Sequence, residues 1–157
     1  MTEREIHISY QEYKSIEELS PEDRELAAEA IKAMEGAYAP YSHFHVGAAV
    51  RMSNGQIVRG ANQENAAFPS GLCAERTAMF AAGARYPDKD MLSLALAGGV
   101  MGRLGSQPAT PCGACRQVMA QYQAKSGKPM SIIMVSADKA WKFEKVDDIL
   151  PLIFNSI

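Results

Sequence analysis

The spacing of apolar positions predicts an alternation of helices and strands along the chain. Leu26, Ile31 and Met34 recur at roughly helical intervals behind Ser20-Pro21-Glu22-Asp23, which offers an N-cap hydroxyl, a proline at the first helical position and acidic residues in the first turn. A helix is therefore expected from Ser20 to Ala37, where Ala39-Pro40-Tyr41-Ser42 breaks it. Val46 to Met52 and Ile57 to Gly60 flank Asn54-Gly55, a strong hairpin signal, and predict two antiparallel strands. After an irregular stretch from Gln63 to Leu72, the alanine-rich run from Cys73 through Ala84 has high helical propensity, with Gly83 as its expected end. Leu92 to Gly98 is apolar throughout, the pattern of a strand covered on both faces. Gly102 to Thr110 reads as a loop, and a helix is expected from Cys112, directly after Pro111, to about Lys125, with Gly127 just beyond it. Ile132 to Ser136 predicts another buried strand, Ala140 to Val146 a final edge strand, and Asp147 to Phe154 a short closing helix despite Pro151. The order helix, hairpin, helix, strand, helix, strand implies an α/β fold: a three-layer α/β/α sandwich around a mixed five-stranded sheet.

Length and charge narrow what such a fold can serve. The 157 residues fit one domain, 1–157, and 47% hydrophobic content suffices for a single core. Residues 1–30 form an N-terminal extension to which the sequence assigns no role. A net charge of -2, with Lys and Arg scattered, leaves no basic surplus for a phosphate backbone, so no polynucleotide partner is expected. The longest apolar run, Met91 to Val100, is about half a membrane span, and Met-Thr-Glu-Arg-Glu at the start carries no apolar signal region. A soluble, cytoplasmic protein with no membrane partner is expected.

The chemistry concentrates at the cysteines. All three lie in Cys73-Ala74-Glu75 and Pro111-Cys112-Gly113-Ala114-Cys115, an odd number that suits reduced thiolates on a metal better than disulfides. Three sulfur ligands leave the fourth tetrahedral position of a zinc ion open to water, the mark of a catalytic rather than a structural site. A closed structural site needs a fourth ligand, and His7, His43 and His45 all lack ligand spacing to the cysteines. A redox dithiol at Cys112 and Cys115 would give Cys73 and Glu75 no use. Both ligand groups fall where a loop enters a helix, so backbone N–H groups and helix dipoles favour the thiolates. Three thiolates and one zinc sum to about -1, which calls for compensating positive charge. Arg76 and Arg116 each lie within three residues of a ligand, and Arg76 is the first candidate to donate to a sulfur and keep the zinc acidic. Glu75 sits two residues beyond a ligand, outside the coordination sphere but within reach of water acidified by the metal. It suits a proton shuttle that takes the water's proton and returns it to a substrate.

A cysteine two residues before a glutamate, followed by P-C-x-x-C, is the signature of zinc nucleoside and base deaminases. Over Tyr38 to Phe154 the chain resembles cytidine deaminase. The matching blocks are Ala39-Pro40-Tyr41-Ser42-His43-Phe44-His45-Val46-Gly47-Ala48-Ala49, Gly60-Ala61-Asn62-Gln63-Glu64-Asn65-Ala66, Cys73-Ala74-Glu75-Arg76-Thr77-Ala78, Pro111-Cys112-Gly113-Ala114-Cys115-Arg116-Gln117 and Leu150-Pro151-Leu152-Ile153-Phe154. The resemblance implies a cytidine-deaminase-like fold and hydrolytic deamination of cytidine and 2′-deoxycytidine to the uridine forms in pyrimidine salvage. It implies one zinc per chain on Cys73, Cys112 and Cys115, with Glu75 as shuttle. It also implies that Asn62 and Glu64 hold ribose hydroxyls, Phe44 stacks on the base and the Ala74 N–H meets the pyrimidine carbonyl. The three-cysteine type further implies a homotetramer in which Phe154 reaches a neighbouring subunit's site. Phe68 departs from the pattern, because many relatives carry a tyrosine there. The rival readings are a deaminase of a modified cytosine nucleoside, of the blasticidin type, and a non-catalytic zinc-stabilised binding module.

Overall fold

The helix signal at Ser20 is realised in the computed structural model, which describes residues 1–154: the Ser20 hydroxyl accepts the Asp23 N–H at 3.2 Å. The elements in chain order are β1 (Gln11–Tyr13), α1 (Pro21–Ala33), β2 (Phe44–Met52), β3 (Ile57–Ala61), α2 (Ala74–Arg85), β4 (Met91–Val100), α3 (Gly113–Ser126), β5 (Ser131–Val135) and β6 (Ala140–Phe143). They form one sheet in the order β1-β6-β5-β4-β2-β3, in which β4 and β5 pair in parallel and the other neighbours are antiparallel. The sheet is mixed, as expected.

Side-chain alternation along the central strands decides which helix covers which face. Ala49, Ala95, Ala97, Ile133 and Val135 pack with Leu26, Ala27 and Ala30 of α1. Ala48, Val50, Leu94, Leu96, Ile132 and Met134 pack on the opposite face with Ala78, Met79 and Met119 of α2 and α3. The predicted three-layer sandwich follows, with both sets of apolar side chains removed from water. Removal of apolar area at roughly 25 cal/mol per Å² is the main term favouring this arrangement.

Three boundaries differ from expectation. The sheet has six strands rather than five, because the N-terminal extension contributes β1, which pairs with β6 and takes it off the edge. Gln11-Glu12-Tyr13 carries no apolar alternation; its strand is imposed by its partner, where Trp141 Nε1 donates to Glu12 at 2.6 Å and Tyr10 stacks on Phe143 with centroids 5.0 Å apart. Gly83 lies inside α2, which runs to Arg85, and the Tyr122 ring of α3 occupies the space a side chain at 83 would need. The closing helix is absent: Val146–Asp148 forms a single 3-10 turn, and Pro151, lacking an N–H and restricting Leu150, prevents its extension.

Gly60 fixes the height of α2 above the sheet. A methyl group there would collide with the backbone N of Ala78 and the carbonyl oxygen of Ala74, so only glycine lets the first turns of α2 rest on β3. Gly60→Ala is expected to destabilise the protein by about 1–3 kcal/mol through this overpacking, read as a lowered urea midpoint with an unchanged slope.

Candidate active site

Two helix starts converge to form the site. Cys73 and Cys112 are the N-cap residues of α2 and α3, and their carbonyl oxygens accept the Thr77 and Arg116 N–H groups at 3.0 Å each. Neither sulfur caps its helix, so both are free for another task. Cys115 lies in the first turn of α3 and is fully buried. The three Sγ atoms lie within 4.8 Å of one another, and those of Cys73 and Cys112 are 3.8 Å apart. A tetrahedral ion with sulfur bonds of about 2.3 Å needs sulfurs roughly 3.8 Å apart, so the donor set fits a zinc ion.

The electrostatics favour one sulfur anion, at Cys73. The Cys73 thiol is pulled down to about 5, chiefly by hydrogen bonding with Cys115 and then by Arg76 and Cys112, against the opposing effect of burial. The same pairing pushes the Cys115 thiol up as the partner that keeps its proton. Arg76 Nη2 lies 3.6 Å from Cys73 Sγ, the contact expected of a guanidinium that moderates sulfur charge, and its Nε is buried with no partner among the described residues. Arg116 does something else. It donates from Nε to Pro111 O at 2.9 Å and from Nη1 to Ile149 O at 2.8 Å, tying the segment before Cys112 to the C-terminal segment.

Glu75 is 3% exposed in the first turn of α2, and burial, more than any other influence, raises its carboxyl to about 7. It faces a cavity of about 320 Å³ together with Cys73, Cys112, Ala74, Phe44, Asn62 and Glu64. Ala74 is the first residue of α2, where a backbone N–H has no acceptor within its own helix. Of the other predicted site residues, Cys115 and Arg76 do not line the cavity but meet this group through the sulfurs, whereas Phe154 is 68% exposed and lies apart from it. Gln117 holds the Phe154 backbone instead, donating to its carbonyl at 2.6 Å and accepting its N–H at 3.3 Å. The three histidines do not join the sulfur cluster.

The far wall of the cavity is built from hydrogen bonds that periodicity does not foretell. Beyond β3, Gln63 pairs with Leu72 through N–H···O bonds of 2.9 Å in both directions, and Glu64 N donates to Tyr38 O at 2.8 Å. This extended segment projects Asn62 and Glu64 to the same side. Asn62 Oδ1 accepts Val46 N–H at 2.8 Å while its Nδ2 donates to Phe44 O at 2.9 Å, so the amide closes the start of β2. Glu64 Oε2 accepts the N–H groups of Tyr41 at 2.9 Å and Ser42 at 3.2 Å, and Oε1 accepts the Ser42 hydroxyl. These bonds, the Ser42 hydroxyl foremost, hold the Glu64 carboxyl below the usual carboxylate range. Ser42 also lines the cavity. Sequence alone gave it no role beyond that of a residue in the Pro40-Tyr41-Ser42 break, since a serine there is ordinary turn chemistry. Phe68 lies edge-on against Tyr41 with centroids 6.1 Å apart and is otherwise exposed.

Comparison with known proteins agrees with this geometry. Residues 20–128 match the family described as the cytidine and deoxycytidylate deaminase zinc-binding region. The chain is 49% identical over 98 residues to the cytidine deaminase of Halalkalibacterium halodurans, covering 61% of this chain and 68% of that protein. It is 31% identical over 126 residues to a probable cytidine deaminase of Dictyostelium discoideum, covering 80% and 79% respectively. Among solved structures, the cytidine deaminase of Burkholderia pseudomallei superposes with a TM-score of 0.69 at 37% identity, over 83% of this chain and 97% of that one. The zinc-binding match and the three-sulfur cluster together identify zinc as the cofactor. Cys115→Ser is expected to cut bound zinc from one per chain to a small fraction by plasma mass spectrometry. The melting temperature should fall by several degrees, because a bound metal stabilises the fold it requires.

Proposed function

The chain belongs to the cytidine and deoxycytidylate deaminase family, and from that membership we propose how its residues carry out the hydrolysis of cytidine to uridine and ammonia. It is an enzyme, and its cofactor is zinc. The carrying observation is a buried carboxylate, Glu75, that belongs with a cluster of three sulfurs and shares with Cys73 and Cys112 the wall of a cavity of about 320 Å³, within the range typical of small-molecule sites. Cys73, Cys112 and Cys115 would hold the zinc, which when bound would act as a Lewis acid and lower the pKa of its water to about 7.

Glu75 does the proton work. It takes a proton from the water whose oxygen bonds to the amine-bearing ring carbon, and it delivers a proton to the adjacent ring nitrogen. It next takes the second proton from the new hydroxyl, as that oxygen becomes the ring carbonyl, and gives it to the amine as the carbon–nitrogen bond breaks, so that water enters and ammonia leaves with no net change in the enzyme. A group held near neutrality by burial can both accept and donate in this way. Arg76, 3.6 Å from the Cys73 sulfur, draws charge from it and offsets the net negative site.

Phe44, at the mouth of β2 and 38% exposed, offers its ring to the pyrimidine, and the Ala74 N–H meets the ring carbonyl. Asn62 has one amide hydrogen left after bracing β2, and Glu64 has one lone-pair site left on Oε1, so the two can share a donor and an acceptor role toward the sugar hydroxyls. 2′-Deoxycytidine is a substrate on the same reasoning, because it keeps the 3′ hydroxyl. We read the enzyme as one domain over 1–157, acting in cytoplasmic pyrimidine salvage as a homotetramer. The role of β1 in the sheet supports treating residues 1–30 as part of that domain, and none of the described helices is long and apolar enough to cross a membrane. An exposed Phe154 clear of its own chain's cavity supports its reaching a neighbouring subunit.

Glu75→Ala is expected to keep zinc and fold but lose at least about 10²–10⁴ in kcat, followed as the ultraviolet conversion of cytidine to uridine. Retained turnover in that variant would remove the shuttle role. Arg76→Gln should lower both zinc affinity and turnover, and unchanged values of both would refute its assigned role.

A further inference from the structure

The Tyr41-Ser42-His43-Phe44 turn joins two parts of the cavity that the reaction as described treats separately. His43 sits at φ 56°, a left-handed conformation uncommon for a residue with a side chain, so the turn needs fixed hydrogen bonds to persist. Backbone bonds from His43 N–H to Ala39 O at 3.0 Å and from Met101 N–H to His43 O at 2.7 Å supply some of them, and the Ser42 hydroxyl supplies two more. Phe44 N–H donates to Ser42 Oγ at 3.0 Å, and Ser42 Oγ donates to Glu64 Oε1. The Phe44 N–H takes up acceptor capacity of that oxygen and so aims its single hydrogen at the carboxylate.

The two oxygens of Glu64 are held differently. Oε2 is fixed by the backbone N–H groups of Tyr41 and Ser42, which no side-chain substitution removes. Oε1 has the Ser42 hydroxyl as its one hydrogen-bond partner among the described residues. We propose that Ser42 is a positioning residue that sets the orientation of Glu64 toward the sugar, and so acts on substrate affinity through that carboxylate. This rests on the reading of Glu64 as a sugar-binding group. Because the backbone contacts to Oε2 survive its loss, removal of the hydroxyl loosens one oxygen without releasing the carboxylate from the cavity wall.

The test compares Ser42→Ala, Ser42→Thr, Glu64→Gln and the double variant Ser42→Ala/Glu64→Gln in kcat/KM for cytidine and for 2′,3′-dideoxycytidine, which lacks both ring hydroxyls. Ser42→Ala should raise KM for cytidine about tenfold, more than it lowers kcat, as expected for a lost hydrogen bond to a charged group. Ser42→Thr, which keeps a hydroxyl, should restore most of the loss. With the dideoxy substrate the Ser42→Ala penalty should largely vanish, and in cytidine the double variant should be little worse than Glu64→Gln alone. Equal penalties on both substrates from Ser42→Ala, with Glu64→Gln still discriminating between them, would show that Ser42 acts through the fold or through Phe44, and would overturn the proposal while sparing the reading of Glu64. If Glu64→Gln itself fails to discriminate, the sugar-binding reading falls and the proposal falls with it.

Discussion

Everything functional in this molecule depends on holding three cysteine sulfurs within 4.8 Å of one another. Three such groups repel once ionised, so the fold must supply compensating charge from fixed sources. It does so with the positive ends of two helices, each begun by a cysteine, and with a guanidinium 3.6 Å from one sulfur. A divalent cation completes the balance, and a carboxylate placed two residues beyond the first ligand is buried beside it. Burial raises the proton affinity of Glu75, whereas among the cysteines only Cys115 is buried, and Cys73 and Cys112 line the cavity.

That convergence is only as good as the packing beneath it. The sheet presents Ala49, Ala95, Ala97, Ile133 and Val135 toward α1, and Ala48, Val50, Leu94, Leu96, Ile132 and Met134 toward α2 and α3. Gly60 brings the backbone of α2 into contact with β3, and so sets the depth at which Ala74 and Glu75 lie. Arg116 then ties the segment before Cys112 to the C-terminal segment, while Gln117 clamps the backbone of Phe154. The residues directly following Cys115 therefore position the tail as well as continue a helix.

The opposite wall of the cavity is governed by hydrogen bonding rather than by packing. Asn62 and Glu64 spend most of their capacity on the backbone of residues 41 to 46, and so arrange the segment that carries Phe44. Two residues assigned to substrate thus also support the free site, a dual use suited to a pocket that must be formed before its ligand arrives. Pre-formed pockets of this kind avoid an ordering cost on binding.

The sequence by itself determined the layer architecture, the hairpin, the helix starting at Ser20, and the three cysteines and the glutamate that the fold brings together. These follow from local rules: apolar spacing, turn chemistry, caps, and the fact that each ligand lies within a short motif. It determined less at the chain ends, where Gln11-Glu12-Tyr13 becomes a strand only because β6 offers an unpaired edge, and where Pro151 outweighed a weak helical pattern. Only the tertiary structure decided that Arg76 rather than Arg116 meets a sulfur, and that Ser42, 22 positions from Glu64, holds its carboxylate. Such choices depend on which distant segments share a wall of the cavity. No periodicity along the chain encodes that, because it is settled by the sum of packing contacts across the whole sheet.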